Sequence, residues 1–156
     1  AEAYAMLKEY DKALADINLW TNNTLDTSYN NRTGIIVTPQ MTQEIIENWS
    51  NATQYYTAES PTPKKKLNPQ VGVIEAGTQE AFIHTVLMMR RLEFMELGMR
   101  WFDIKRYGIE IHRRVVVPSG EVSDITIKDE LKVNDPRRAI QLPQDVITAG
   151  LTPNVR

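Results

Sequence analysis

The sequence contains no cysteine. Disulfides, a thiolate nucleophile and cysteine-ligated zinc are therefore excluded. Only two histidines occur, His84 and His112, and they form no HExxH arrangement. A histidine-rich metal centre is not expected, and neither is a metal cofactor. No apolar run approaches the roughly 18 residues that a membrane-spanning helix needs. The net charge is only −2, which gives no electrostatic case for nucleic acid or for an anionic membrane surface. GxSxG, Walker and GxGxxG motifs are missing, so no catalytic residue is assigned. The 156 residues suit one domain, and a domain of that size buries about 70% of its unfolded surface.

Arg90–Gly108 is the most informative stretch that is present. It reads Arg-Arg-Leu-Glu-Phe-Met-Glu-Leu-Gly-Met-Arg-Trp-Phe-Asp-Ile-Lys-Arg-Tyr-Gly. Stepping from Glu80 at about 100° per residue puts Ile83, Val86, Leu87, Phe94 and Leu97 on one stripe, with Arg90 in its middle. Met88, Met89 and Met95 widen the apolar surface. A helix that is apolar nearly all round belongs inside a fold. A buried guanidinium needs a partner. Glu93 follows Arg90 by three residues, Glu96 precedes Arg100 by four, and Arg100 precedes Asp103 by three. Those are the spacings at which helical side chains meet. The arrangement reads as a structural ion-pair network of Arg90, Glu93, Glu96, Arg100 and Asp103. The other reading is an anion or sugar site lined by arginines. Glu93 and Glu96 could pass for the carboxylate pair of a hydrolase, but each has an arginine in reach that keeps it ionised. Trp101 and Phe102 read as core.

Arg90, Arg91, Glu93, Phe94, Glu96, Gly98, Arg100, Trp101, Phe102, Asp103, Lys105 and Arg106 stand in the order and spacing of a known signature, with Leu97 set between Glu96 and Gly98. The stretch resembles the signature helix of the SusD/RagB family, glycan-binding lipoproteins of the Bacteroidetes outer surface. Ala1–Trp20 is similar to the back half of a tetratricopeptide repeat. One helix ends, the chain turns near Lys8-Glu9, and a second helix carries Tyr10, Ala13 and Ile17 at the tyrosine, small and bulky positions. A partial repeat cannot bury its own face and needs neighbours. Asp135-Pro136-Arg137-Arg138, Gln141-Leu142-Pro143 and Thr152-Pro153-Asn154 also resemble the C-terminal end of SusD-like proteins. The resemblance implies a mainly α, SusD-like fold of tetratricopeptide-type helices. Residues 1–20 form a helix pair, 78–108 the signature helices, and 109–156 an irregular C-terminal region with a small β-hairpin.

The chain opens in a helical pattern without an initiator methionine and reads as the C-terminal part of a longer protein. The resemblance places an export signal and a lipidated cysteine upstream. It implies an outer-membrane, surface-exposed lipoprotein that binds glycan or another nutrient. That protein would deliver its ligand, unconverted, to a SusC-like TonB-dependent transporter. It implies no cofactor and transfers no binding residue to a numbered position. The alternative is a helical-repeat scaffold that binds a protein partner.

The remaining segments are read from composition. Thr21–Thr38 is a polar loop with a short extended piece at Ile35–Val37. Thr42 is placed as a helix N-cap, with Glu44 in the first turn and the helix running to about Tyr56. Thr57–Gly77 is irregular, and its run Lys64-Lys65-Lys66 reads as a solvated loop. Thr78 is expected to cap the signature helix, Gly98 to bend it, and Gly108 to follow its last turn. Arg114–Val117 and Asp124–Ile127 are β-prone runs around the turn Pro118-Ser119-Gly120. A short helix is expected between Pro143 and Gly150. Sugar rings stack on aromatic faces, while amides and charged groups fix their hydroxyls. The candidates for ligand contact are Tyr29, Trp49, Tyr55 and Tyr56, near Asn30, Asn31, Asn48 and Gln54. Trp49 and Tyr56 fall on the apolar stripe of their helix, Tyr55 faces away from it, and Tyr29 lies in the polar loop.

Overall fold

A computed structural model describes residues 1–24, 40–57, 60–115 and 124–154. Helices dominate these residues, with one small two-stranded antiparallel sheet. Length alone suggested one domain, but the contacts divide the chain into two compact units. One comprises Ala1–Gln54 and Val73–Leu97, the other Tyr55–Gly72 and Gly98–Arg156.

The first unit is all helical. Helix α1 is Glu2–Met6 and α2 is Tyr10–Thr24. The chain reverses between them at Lys8, whose φ is +61°. This is the helix–turn–helix that the opening residues predicted, but α2 continues through Thr24, past the loop start expected at Thr21; the rest of the expected loop up to Thr38, with Ile35–Val37, lies outside the described residues. Ala13 and Ile17 are buried on α2, and the Tyr10 ring lies 5.1 Å from that of Phe82. Helix α3, Gln43–Ala52, starts where expected: the Thr42 hydroxyl accepts from the Ile45 amide at 3.2 Å. It ends at Ala52, short of Tyr55 and Tyr56. Both tyrosines therefore lie outside the helix, and assigning either to one of its faces does not hold.

Helix α4, Thr78–Glu93, is the spine of this unit. From Gln79 to Leu87 every residue except Glu80 is buried, which is the inside helix the apolar pattern predicted. Gly77, not Thr78, is its N-cap. The Thr78 hydroxyl is spent on the Glu47 carboxylate at 2.6 Å, tying α4 to α3. Buried Gln79 donates to the carbonyls of Ala5 and Met6, satisfying the open end of α1. Asn18 of α2 clamps Met41 through both its backbone groups, at 3.0 and 2.6 Å.

The signature stretch is not one continuous helix. α4 stops at Glu93, and Glu96 and Gly98 take positive φ, +69° and +70°. The next helix, α5, is Arg100–Arg106. The apolar stripe therefore does not carry through. Phe94 is half-buried, while Leu97 and Phe102 are 67% and 60% exposed. Trp101 is half-buried rather than core.

α5 belongs to the second unit, and its C-terminus is a Schellman motif. The Ile109 amide reaches the Ile104 carbonyl at 3.0 Å, and that of Gly108 reaches Lys105 at 3.4 Å. Gly108 has φ +53°, and a Cβ there would stand 2.1 Å from the Asn68 carbonyl oxygen. That close approach lets the Asn68 amide bond the Tyr107 carbonyl at 2.7 Å. The sheet pairs β1, Ile111–Val115, with β2, Asp124–Leu131. Ile111 faces Leu131 and His112 faces Glu130, then the register slips on either side of Arg114. β1 starts earlier than its β-prone run, at Ile111 instead of Arg114, while β2 starts with its run at Asp124 and extends past Ile127 to Leu131. The expected turn at Pro118-Ser119-Gly120 lies outside the described residues. A 3-10 turn at Pro136–Arg138 and helix α6, Gln144–Thr148, complete the unit. α6 starts after Pro143 and ends before Gly150 as expected.

Candidate functional site

Burial within the second unit centres on Tyr107, Ile109 and the guanidinium of Arg138. Arg138 is 7% exposed. Its Nε donates to Lys132 O at 2.5 Å and its Nη1 to Ile104 O at 3.1 Å. Its Nη2 donates to Ile109 O at 2.6 Å and to Leu131 O at 3.1 Å. One fork thus joins the end of α5 to the end of β2. Burial lowers the Arg138 pKa from its ordinary value, yet a guanidinium stays charged. Neighbouring Arg137 points outward to Asp129, Asp135 and the Glu130 carbonyl. Its side-chain and backbone hydrogen bonds hold Asp135 down at about 2.

Next to this scaffold lies a small charged pocket of about 50 Å³, lined by Tyr56, Lys65, Lys66, Glu110 and His112. Two backbone features shape it. The Tyr56 amide donates to the Lys64 carbonyl at 2.8 Å, which pins the aromatic pair beside the lysine run. Strand β1 begins just after Glu110 and carries His112. The rings of Tyr56 and His112 stack with centroids 5.4 Å apart, at 14°. The Lys65 ammonium sits over the Tyr56 ring, and that of Lys64 lies 4.6 Å from the Tyr55 centroid. His112 Nε2 lies 3.8 Å from the Glu130 carboxylate, while its Nδ1 is buried and has no hydrogen-bond partner.

The lysine run is therefore not simply a solvated loop. Lys64 is 8% exposed, its stem packed and its head over an aromatic face. The candidates Tyr55 and Tyr56 are both half-buried, and each already carries a lysine on its ring. That arrangement competes with sugar stacking on the same faces. Tyr29 lies outside the described residues.

Trp49 is in the first unit. It lines an apolar groove of about 260 Å³ with Trp20, Met41, Ile46, Met88 and Leu92 among others. Three of the polar side chains that line it or lie beside it are already committed. The indole of Trp20 donates to Glu93 at 2.9 Å, the Thr21 hydroxyl to Ile17 O, and that of Thr85 to Ala81 O. Sugar hydroxyls buried in this groove would lose water with little in return. Trp49 therefore does not sit in surroundings suited to a saccharide.

The expected ion-pair network divides. Arg100 and Asp103 do meet, at 3.7 Å, with the Asp103 side chain buried. Arg90 pairs with Glu2 on α1, also at 3.7 Å, rather than with Glu93. Its guanidinium lies 5.4 Å from the Phe94 ring. Glu93, freed of that role, takes the Trp20 indole. Glu96 is exposed and lies beyond the end of α4, outside the continuous helix in which its four-residue spacing to Arg100 was counted. The sequence marked none of Lys66, Glu110, His112 and Arg138 as site or framework residues. Only the turn Asp135-Pro136 beside the paired arginines hinted at Arg138, and nothing told which arginine would turn inward.

No family model matches this chain, and no curated protein and no solved structure matches it.

Proposed function

We propose that this chain is the C-terminal part of a SusD-like surface lipoprotein that captures a glycan or another nutrient. On this reading it hands the ligand, unconverted, to a SusC-like TonB-dependent transporter. The observation that carries the reading is the Arg90–Arg106 signature in its order and spacing. It is supported by the helix–turn–helix at residues 1–24 and by the small hairpin near the C-terminal end. The pocket at Tyr56 and His112 adds a place where polar groups of both signs face solvent beside aromatic rings. Such mixed lining suits hydroxyl-rich ligands. No described helix is long and apolar enough to cross a membrane. Membrane attachment on this reading comes from an upstream lipid.

The test is a binding screen of the full chain against immobilised glycans and peptides, repeated with Tyr29→Ala, Tyr55→Ala and Tyr56→Ala. Capture of a glycan, weakened by at least one variant, is the expected result. Capture of peptides alone would remove the sugar assignment.

A second reading has its own observation. The apolar groove of Trp20, Trp49, Met88 and Leu92 lies among three helices. It favours a helical scaffold that takes an apolar partner segment, and methionine-rich walls adapt to such partners. Peptide capture with perturbation of the Trp49 indole signal would select this reading over the first.

A further inference from the structure

Two of the groups lining the small pocket carry full and opposite charges, the Lys66 ammonium and the Glu110 carboxylate. Among the described residues neither forms a hydrogen bond or a close ion pair, although Glu110 also acts at longer range on the Arg138 and Lys132 charges. Opposite charges that share a pocket without pairing leave a strong donor and a strong acceptor in the lining of one site. Beside them, His112 presents a buried Nδ1 with no partner. A buried polar atom of this kind calls for completion by a water or a ligand group.

We propose that this pocket recognises the vicinal diol of a neutral sugar ring, with Lys66 donating to one hydroxyl and Glu110 accepting from its neighbour. The inference rests on the sugar-binding reading above and deepens it. Three arguments select this ligand chemistry. An anionic sugar would meet the Glu110 carboxylate, and a cationic one would meet Lys65 and Lys66. A hydroxyl pair satisfies both signs, because each hydroxyl can donate and accept. The size agrees: about 50 Å³ admits roughly two or three water-sized groups, which fits two hydroxyls but not a whole ring. Finally, Lys65 over the Tyr56 ring turns this site toward polar recognition rather than stacking. Hydrogen bonds to charged groups are the stronger kind, so two of them can hold a ring at the pocket mouth.

The test is a titration of the isotope-labelled full chain, followed by NMR. The probes are hexasaccharides of α-linked glucose, β-linked glucose, mannose and xylose, together with hexagalacturonate. Lys66 and Glu110 are exposed, so Lys66→Met and Glu110→Gln should keep the unfolding midpoint of the parent. Lys66→Arg retains a cationic donor and serves as the rescue. The expected result is that a neutral hexasaccharide shifts the His112 signals. Lys66→Met and Glu110→Gln should each weaken it about tenfold or more, while Lys66→Arg keeps most of the affinity. If hexagalacturonate binds best and Glu110→Gln strengthens it, the pocket is an anion site and the proposal is overturned. If a neutral sugar binds equally well to all variants, the diol site is wrong but the sugar-binding reading stands. If no saccharide binds the parent, both fall.

Discussion

Replacing Arg138 by methionine should unfold the second unit at a markedly lower temperature than the parent. Arg138 is 7% exposed, and its guanidinium serves four backbone carbonyls, those of Ile104, Ile109, Leu131 and Lys132. Methionine fills much of the same volume but donates nothing. Hydrogen bonds from a charged donor contribute about 1.5–3 kcal/mol each, and a buried acceptor left alone costs about 1–3 kcal/mol. The four share one donor group and relax together, so they do not add. A total of roughly 3–5 kcal/mol is a reasonable scale for dismantling such a buried polar hub. Small units typically hold only about 5–15 kcal/mol in all. Lysine at the same position offers a point charge without the planar fork, and should recover only part of the loss. The control is one residue away. The Arg137 side chain makes more hydrogen bonds than that of Arg138, but they lie at the surface, mostly with Asp129 and Asp135. Surface pairs are screened and contribute little. Denaturant unfolding followed by far-UV circular dichroism, with the amide exchange of Leu131 and Ile109 as local reporters, separates the two. A larger loss for Arg137→Ala than for Arg138→Met would refute the assignment of Arg138 as the hub.

Other outcomes follow from single contacts. Gly108→Ala places a Cβ 2.1 Å from a backbone oxygen at φ +53°; it should cost about 2 kcal/mol or more in chemical denaturation. Phe82→Ala empties the centre of the first unit, where the ring is fully buried against Tyr10. The expected loss is about 3–5 kcal/mol, with cavity-driven broadening of the methyl signals of Ile17 and Ile83. The Asp135 carboxyl titrates near 2 in the folded chain, below its ordinary 3.8. Its contribution is therefore fully present above about pH 4, and is lost as pH falls toward 2, because the unfolded chain takes up the proton first. Asp135→Asn should flatten the acid limb of a stability–pH curve measured over that window, and an unchanged limb would contradict the assignment.

Much of the helical frame can be read from the residues, because it rests on local rules. The buried run of α4 shows in its dense apolar pattern, the start of α3 in Thr42, and the end of α5 in Gly108. The hairpin shows in its β-prone runs, although its slipped register does not. What stayed hidden depends on where the chain goes next. The apolar spacing runs on through Phe94 and Leu97, yet the backbone leaves the helix at Glu93. Spacing alone therefore overstated both the stripe and the ion-pair network. Arg90 found Glu2, 88 positions earlier in the chain, and no helical rule joins such residues. The candidate site was legible only in Tyr56. Lys66, Glu110 and His112 come from an irregular loop and a strand edge, and only tertiary structure brings them together.

The most direct measurement of the central claim pairs calorimetry with recovery of the ligand. The full chain is titrated with the best-bound oligosaccharide, held with it overnight, and the saccharide is then released and weighed by mass spectrometry. The account predicts saturable binding and a ligand returned with its chain length unchanged. Shortened fragments would make the protein an enzyme. The absence of any binding heat across both the saccharide and the peptide panels would contradict the account at its root.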